Sequence, residues 1–364
     1  MRISFMKRIT AIFAVFSLAL LLVSSCHDKP NLIADYKDVT ISYGVLNIND
    51  DIHYFKIYRG FITEDNALVE AGNWDNVYYP VDSIEVRLEE YMNGVRTRGE
   101  ILDTTTTVPK EEGFFPSPKQ LLYYSEMKLN PEATYRLVIR RVNTGEEVYA
   151  ETVLVGDFSI RIPMNSWNFN QADENNNPTN ATIRFFQANN ASAYDIYLTF
   201  YYVEVDTLTN AVEHKSITKR LTSSVLYASA SSDENVYQGF APKTFFTFIA
   251  QSLQPNDRVV RYIDAIDGKQ YYCFKLQIWA VNDEYVKYVD ASTPNQSIVQ
   301  DRVLYTNFVS AHQNAYGFLA SRNCCTRNLT MSSPNHNEDT LVKGSVTGHL
   351  GFDYYRNSPF FQEE

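Results

Sequence analysis

Short segments in which apolar and polar residues alternate constrain the fold of this chain most strongly. In one of them Ile84, Val86 and Leu88 alternate with charged residues, and the hairpin-type dipeptide Asn93-Gly94 follows. Successive side chains of a strand point to opposite faces of a sheet, so this pattern predicts a strand with one buried face. Aromatic residues make up 14% of the chain, and because they are enriched in strands they favour the same structure. The sequence therefore predicts a mainly β fold.

The most informative segment is residues 128–139, where a turn at Pro131 leads into Tyr135 and an alternating apolar run. This order is typical of the tyrosine corner of immunoglobulin and fibronectin-type sandwiches, in which the Tyr hydroxyl bonds back to the corner backbone. A second turn at Gly145 precedes a further alternating segment. We predict an Ig/fibronectin-like β-sandwich over residues 39–157. An unrelated β-domain in which Tyr135 stands by chance is the alternative.

A second β-rich domain with a few short helices and a polar tail is predicted over residues 181–364, after an Asn-rich linker over residues 158–180. Alternation over residues 270–281 predicts a central strand. The pattern of residues 243–253 favours an amphipathic helix, and Asn282 is placed to cap another one.

The N-terminus combines three basic residues with an apolar run over residues 9–23. This run falls short of the roughly 20 residues that a membrane-spanning helix needs. Small residues then precede Cys26, which is typical of the lipobox of bacterial lipoproteins. In such proteins the cysteine receives a diacylglyceryl group, and its new amine is acylated after cleavage, commonly with palmitate. We predict a lipoprotein signal peptide over residues 1–25 and a lipidated tether over residues 26–38.

Two other interpretations of the N-terminus are an ordinary secretory signal whose cleavage site contains Cys26 and an uncleaved signal anchor. Residues 1–25 carry three basic and no acidic side chains, so their removal changes the net charge from -11 to -14. This acidic balance argues against nucleic acid as a partner, because phosphate binding needs a basic surface. No second long apolar run follows, so we expect lipid to anchor the chain.

Several local features occur together between residues 26 and 320. They are the lipobox at Cys26, Leu46-Asn47, His53-Tyr54-Phe55-Lys56-Ile57, the segment 83–88, the corner at 129–139 and Tyr316-Gly317-Phe318. In this combination the chain resembles an uncharacterised family of Bacteroidota outer-membrane lipoproteins encoded beside TonB-dependent transporters. The resemblance implies an outer-membrane location and a TonB-dependent transporter as partner, and it implies no reaction. The Gly-rich ending of the family is reduced here to Gly317, and Cys324-Cys325 departs from its pattern.

Motifs of common catalytic sites are absent from the sequence: it contains no HExxH, GxGxxG, P-loop or GxSxG. We therefore expect no enzyme, no cofactor and no metal site, although a hydrolase with an unrecognised carboxylate pair stays an alternative. His53, within a predicted strand, is expected to be structural. Cys273 is expected to be a free core thiol, and the alternative is a disulfide with Cys324 or Cys325.

Two tryptophans lie in polar, loop-like settings, Trp74 beside Asn73 and Trp167 beside Asn168. An aromatic face with neighbouring amides suits stacking against a ligand, so both are candidate ligand-stacking residues for a glycan or peptide. The alternative is that each covers the core of its own domain. Trp279, inside an apolar strand, is expected in the core or on the sheet surface.

The sequence thus favours a membrane-anchored lipoprotein that serves an outer-membrane nutrient-uptake system as an accessory binding or assembly subunit. An adhesin or pilus-type structural protein is the alternative, because sandwich domains associate through exposed strand edges. Whether the anchored chain faces the periplasm or the cell surface stays open at this point.

Overall fold

The computed structural model is mainly β, as predicted, with 48% of the residues that it describes in strands and 16% in helices. Within the described residues no helix is long and apolar enough to cross a membrane. The structure describes residues 39–61, 63, 66–110, 119–169, 180–223, 226–230, 232–241, 244–264, 272–292, 305–312, 314–331 and 334–359.

Strands follow one another through most of the described chain, and the helices are short. The strands are β1 (Thr40–Leu46), β2 (His53–Arg59), β3 (Ile84–Met92), β4 (Val95–Ile101), β5 (Asp103–Thr105), β6 (Leu122–Ser125), β7 (Thr134–Arg141), β8 (Glu147–Val153), β9 (Ile160–Ile162), β10 (Ser166–Trp167), β11 (Ala181–Phe186), β12 (Ala193–Asp206), β13 (Val212–Arg220), β14 (Leu226–Tyr227), β15 (Glu234–Phe240), β16 (Val259–Ile263), β17 (Tyr272–Val281) and β18 (Ala315–Met331). The helices are α1 (Ala67–Glu70), α2 (Trp74–Val77), α3 (Thr244–Ser252), α4 (Asp283–Ser292) and α5 (Pro334–Lys343). Three-residue 3-10 turns lie at Val81–Ser83, Gly348–Leu350 and Tyr355–Asn357.

Two facing sheets form the first sandwich. Their strand orders are β1-β2-β6-β5 and β4-β3-β7-β8, which correspond to the two sheets of an immunoglobulin-type sandwich. The alternating residues of β3 behave as predicted, because Ile84, Val86 and Leu88 are all buried in the core between the sheets. Asn93 and Gly94 both have positive φ, as a two-residue hairpin turn requires. The predicted Ig/fibronectin-like fold is therefore confirmed.

The tyrosine corner has the hydrogen bond expected of it. The Tyr135 hydroxyl accepts the backbone N–H of Asn130 at 2.7 Å and donates to Glu90 Oε2 at 2.5 Å. Arg98 donates to the same carboxylate oxygen from two nitrogens, at 3.0 and 2.6 Å. Burial raises the pKa of Tyr135 to about 12, so its hydroxyl stays protonated and holds the corner closed at neutral pH.

Strand β18 connects the two halves of the molecule. Its residues from Ala315 to Ser321 pair in parallel with β1, and those from Arg322 to Thr330 pair antiparallel with β17. Gly317 has a φ of +100°, and a Cβ there would lie 1.9 Å from the Ser42 carbonyl oxygen. The close approach of β1 and β18 thus requires glycine. The sequence placed residues 39–157 and 181–364 in separate domains, but they share this continuous ladder.

The second core lies between the inner face of β13-β12-β17-β18, the sheet β15-β11-β9 and helix α3. The helix predicted over residues 243–253 is present as α3, and the central strand predicted over residues 270–281 is present as β17. Strands β9 and β10 lie inside the predicted linker over residues 158–180. The end of this domain, predicted to be a polar tail, in fact supplies buried side chains to the core: Leu329, Met331, Leu341, Leu350, Phe352 and Tyr355.

Candidate functional site

Trp74 begins the short helix α2, which Asn73 caps by accepting the Asp75 N–H at 3.2 Å. The indole is partly buried against the core of the first sandwich, and its centre lies 4.3 Å from that of the Tyr78 ring. Trp74 therefore covers its own core, which leaves only part of its ring for contact with a ligand.

Trp167 is a core residue, and its prediction as a ligand-stacking residue is wrong. Strand β10 pairs Trp167 with Met331 at the end of β18, and the side chain is 2% exposed. Phe169 lies 5.2 Å from the indole, and Phe245 of α3 stacks on Phe169 at 4.1 Å. The polar neighbours of Trp167 in the sequence concealed this burial, because strand alternation points them to the opposite side.

Cys26, the predicted lipidation site, lies outside the described residues, as does the tether up to residue 38. The described cysteines Cys273, Cys324 and Cys325 are all free. Cys273 is fully buried, and burial raises the pKa of its thiol, as expected of an inert core cysteine.

His53 is buried in β2, where its Nε2 lies 3.1 Å from the Met127 carbonyl oxygen. Its Nδ1 has no hydrogen-bond partner among the described residues. Burial lowers the pKa of His53 and outweighs the opposite effects of that carbonyl and the carboxylates nearby. Its burial and its contact with the Met127 carbonyl give His53 a structural position.

A pocket of about 450 Å³ opens on the outer face of the sheet β13-β12-β17-β18, beside α4. Pockets of roughly 300 to 1,000 Å³ are the usual size for small-molecule sites. Aromatic and charged side chains converge on it from four elements, β12, β13, β17 and β18, together with α4. The residues that matter for its chemistry are Asp195, Tyr197, Arg220, Trp279, Tyr285 and Arg322.

Trp279 supplies the largest aromatic surface of this pocket. It lies on β17 opposite Asp195 of β12 and Cys324 of β18, on the face of the sheet that points away from the second core. The guanidinium of Arg322 lies 4.8 Å from the centre of the indole, a cation–π contact that covers one face of the ring. The sheet therefore holds Trp279 at the surface in a defined position.

Asp195 organises the polar side of the pocket. Its carboxylate accepts hydrogen bonds from the Tyr197 hydroxyl at 2.9 Å, the Arg220 Nε at 2.8 Å, the Thr222 hydroxyl and the Ile196 amide at 3.1 Å. A carboxylate has about four lone-pair positions, so Asp195 is fully used within the protein. It orients Tyr197 and neutralises Arg220.

Helix α4 forms the remaining wall. Asn282 caps it by accepting the Tyr285 N–H at 3.3 Å, as the sequence predicted for this position. On the sheet side Tyr288 stacks on Phe318 of β18 at 4.2 Å, and Tyr285 meets the same ring edge-on at 6.0 Å. Because Tyr43 of β1 also contacts Phe318 at 5.8 Å, the wall is attached to the strand pair that joins the two sandwiches.

Sequence reasoning missed this pocket, although one signal pointed to it. Alternation placed Phe274, Leu276 and Ile278 on one face of β17, and that face is buried. Trp279 must then lie on the other face. The strand neighbours that bring Asp195 and Arg220 beside it could not be deduced from local pattern.

A second depression, of about 400 Å³, lies between the ends of β8 and α4 and contains three carboxylates. Each has a partner: Glu151 pairs with Arg136, Asp283 pairs with Lys287, and Glu284 accepts the Tyr305 hydroxyl. No group of three or more metal-binding side chains occurs among the residues that the structure describes.

Comparison of the chain with protein-family models and with curated proteins found no match. The interpretation of the pocket therefore depends on its own residues.

Proposed function

We propose that the chain is a lipid-anchored binding subunit of an outer-membrane nutrient-uptake system, and that its ligand occupies the pocket beside α4. The observation that carries the binding part is the convergence of Tyr197, Trp279 and Tyr285 with two arginines on one surface pocket. Apolar rings with a few oriented polar groups are the usual composition of small-molecule sites.

The lipobox at Cys26 supports the anchored part of the proposal, and the resemblance to lipoproteins encoded beside TonB-dependent transporters supports the partner. A binding subunit held at the outer membrane by lipid needs no membrane-spanning helix. In this arrangement the protein keeps its ligand close to the transporter and raises its local concentration there.

The pocket carboxylates favour binding over hydrolysis. Asp195 is held by Arg220 and by hydroxyl donors, so the protein itself occupies the oxygens that a catalytic carboxylate would need free. The other carboxylate of the lining, Asp290, is exposed on α4.

Two edge strands of the described sheets, β13 and β4, carry charges that oppose assembly as a polymer. Strand β13 carries Glu213, Lys215 and Lys219, and β4 carries Arg96 and Arg98. Charged side chains along an edge discourage pairing with a strand of another chain. The adhesin or pilus-type alternative therefore has no support from these edges.

The anchored part is tested by expressing wild-type protein and Cys26→Ser in the native host, with Cys324→Ser as the matched control. We expect wild-type protein and Cys324→Ser to sediment with the outer membrane and to recover a TonB-dependent transporter on affinity purification. Cys26→Ser is expected to lose the membrane association. Recovery of no outer-membrane transporter with the wild type would contradict the assignment to an uptake system.

The binding part is tested with purified mature protein and a panel of glycans and peptides, by calorimetry. Trp279→Ala is expected to weaken binding of any positive probe at least tenfold. The matched control Trp74→Ala changes a tryptophan of the first sandwich and is expected to leave affinity unchanged. Binding that survives Trp279→Ala would place the ligand elsewhere.

A further inference from the structure

We propose that the ligand of the pocket beside α4 is a neutral, hydroxyl-bearing ring, that is, an uncharged saccharide. This inference depends on the proposed binding function and specifies its ligand. It follows from the donors, acceptors and charges that the protein leaves available at the pocket.

The pocket presents an acceptor and a donor side by side. Tyr197 and Arg220 are directly opposite each other on β12 and β13. The proton of the Tyr197 hydroxyl is committed to Asp195, so its oxygen faces a ligand as an acceptor. Arg220 uses Nε on Asp195, and its terminal nitrogens keep their N–H donors. A hydroxyl group both donates and accepts, so adjacent hydroxyls of a saccharide match this pair.

Ions match the pair less well. A carboxylate or phosphate only accepts hydrogen bonds, so it would place an acceptor against the Tyr197 oxygen. An ammonium only donates, so it would face the donors of Arg220. The committed proton of Tyr197 is retained at neutral pH, because burial and the hydrogen bond to Asp195 raise the pKa of the phenol.

The charges of the described lining cancel. Asp195 pairs with Arg220 at 2.8 Å, and Asp290 balances Arg322 within the lining. Arg322 is exposed and lies over Trp279, where water screens its charge. A pocket without net charge gives little electrostatic advantage to an ionic ligand.

Trp279 supplies the apolar half of the site. Arg322 covers one face of the indole, and the other face is the one we assign to the C–H surface of a sugar ring. With Tyr285 on the wall formed by α4, the pocket has rings on two sides of its polar pair. Ring stacking and a hydroxyl-specific donor–acceptor pair together distinguish a saccharide from a purely apolar ligand.

The test measures calorimetric affinity of the mature protein for neutral oligosaccharides of glucose, mannose and xylose. Each is paired with an acidic analogue that carries a uronic acid or sulfate, and a peptide mixture completes the probes. We expect at least one neutral oligosaccharide to bind ten times more tightly than its acidic analogue. Tyr197→Phe keeps the ring and removes the acceptor, so it is expected to weaken that binding about fivefold to tenfold. The matched control Tyr54→Phe is expected to have no effect.

Asp195→Asn gives an independent readout. It removes the charge that neutralises Arg220, so the preference for the neutral over the acidic analogue is expected to fall about tenfold or to reverse. Because the ratio of two affinities is measured, a general loss of stability does not produce this result.

The outcomes separate the two proposals. If only acidic sugars or peptides bind, and Trp279→Ala abolishes that binding, the pocket is a ligand site and the assignment of a neutral saccharide is overturned. If no probe binds, both proposals fail. An unchanged ratio in Asp195→Asn also overturns the charge argument.

Discussion

The molecule contains two groups of tyrosine, carboxylate and arginine that share their chemistry and differ in their surroundings. In the first sandwich, Tyr135 donates to Glu90, which Arg98 also contacts, and the tyrosine is fully buried. In the second, Tyr197 donates to Asp195, which pairs with Arg220.

Burial separates their roles. In the first group Tyr135 and Glu90 are buried and close the tyrosine corner, and only Arg98, with 44% of its side chain exposed, reaches the surface, so no acceptor is left for an outside molecule. The side chain of Asp195 is 27% exposed and that of Arg220 52%, so this group keeps donors and an acceptor at the surface. The tryptophans show the same contrast, since Trp167 is in the core and Trp279 borders the pocket. The same types of side chain therefore stabilise the fold where they are buried and leave hydrogen-bonding groups at the surface where solvent reaches them.

The largest expected difference in stability comes from replacing each of the two tryptophans, Trp167 and Trp279, by alanine in separate variants. Trp167→Ala leaves a cavity among aromatic rings and is expected to lower the free energy of unfolding by about 3–5 kcal/mol. Trp279→Ala removes one cation–π contact at a partly exposed position and is expected to cost about 1 kcal/mol. Urea unfolding of the two variants measures both values. Equal losses would contradict the assignment of Trp167 to the core and of Trp279 to the pocket.

The tyrosines provide the next test. Tyr135→Phe removes the partner of the Asn130 amide and one donor to Glu90, so we expect a loss of about 2–3 kcal/mol in the free energy of unfolding. Tyr197→Phe leaves Asp195 with its other donors and a path to water, so less than about 1 kcal/mol is expected. Chemical denaturation monitored by circular dichroism compares the two. A larger loss for Tyr197→Phe would reverse the proposed roles.

The smallest effect concerns pH and the buried His53. Its folded pKa is lowered from an ordinary value of 6.5, so the unfolded state binds the proton more readily. The contribution of neutral His53 to the free energy of unfolding is therefore fully present above pH 6.5. It declines as the pH falls below that value, by at most about 1.4 kcal/mol per pH unit. Unfolding free energies measured from pH 7.5 to 5 give this slope.

His53→Gln is expected to reduce the slope, whereas His312→Gln, which changes an exposed histidine, serves as the matched control. A slope that is identical in wild-type protein and His53→Gln would show that other groups cause the acid sensitivity.

Local signals predicted much of the first sandwich. The alternation of Ile84, Val86 and Leu88 and the corner at Tyr135 depend on residues close in sequence, so they could be interpreted without the rest of the chain. The alternation predicts one buried face of a strand, and the corner predicts one hydrogen bond from backbone to Tyr135. Both follow directly from strand geometry.

The pocket depends on order among strands, which local pattern does not contain. Asp195, Arg220 and Trp279 meet because β12 lies between β13 and β17, and the tertiary fold alone establishes that order. The prediction of Trp167 as a ligand-stacking residue is wrong for a related reason. Its neighbours are polar, but the end of β18 and the rings around Phe169 bury it.

The long strand β18 also has a consequence for the order of events during synthesis. Thr40 pairs with Ala315, and the core of the first sandwich includes Phe308, Ala315 and Leu319. A nascent chain therefore makes nearly all of the first sandwich before the ribosome reaches the strand that completes it. Until then β1 exposes one unpaired edge, and contacts so distant in sequence form slowly. Chains that end before residue 315 keep that edge open, and we expect proteases to degrade them faster than the full-length protein.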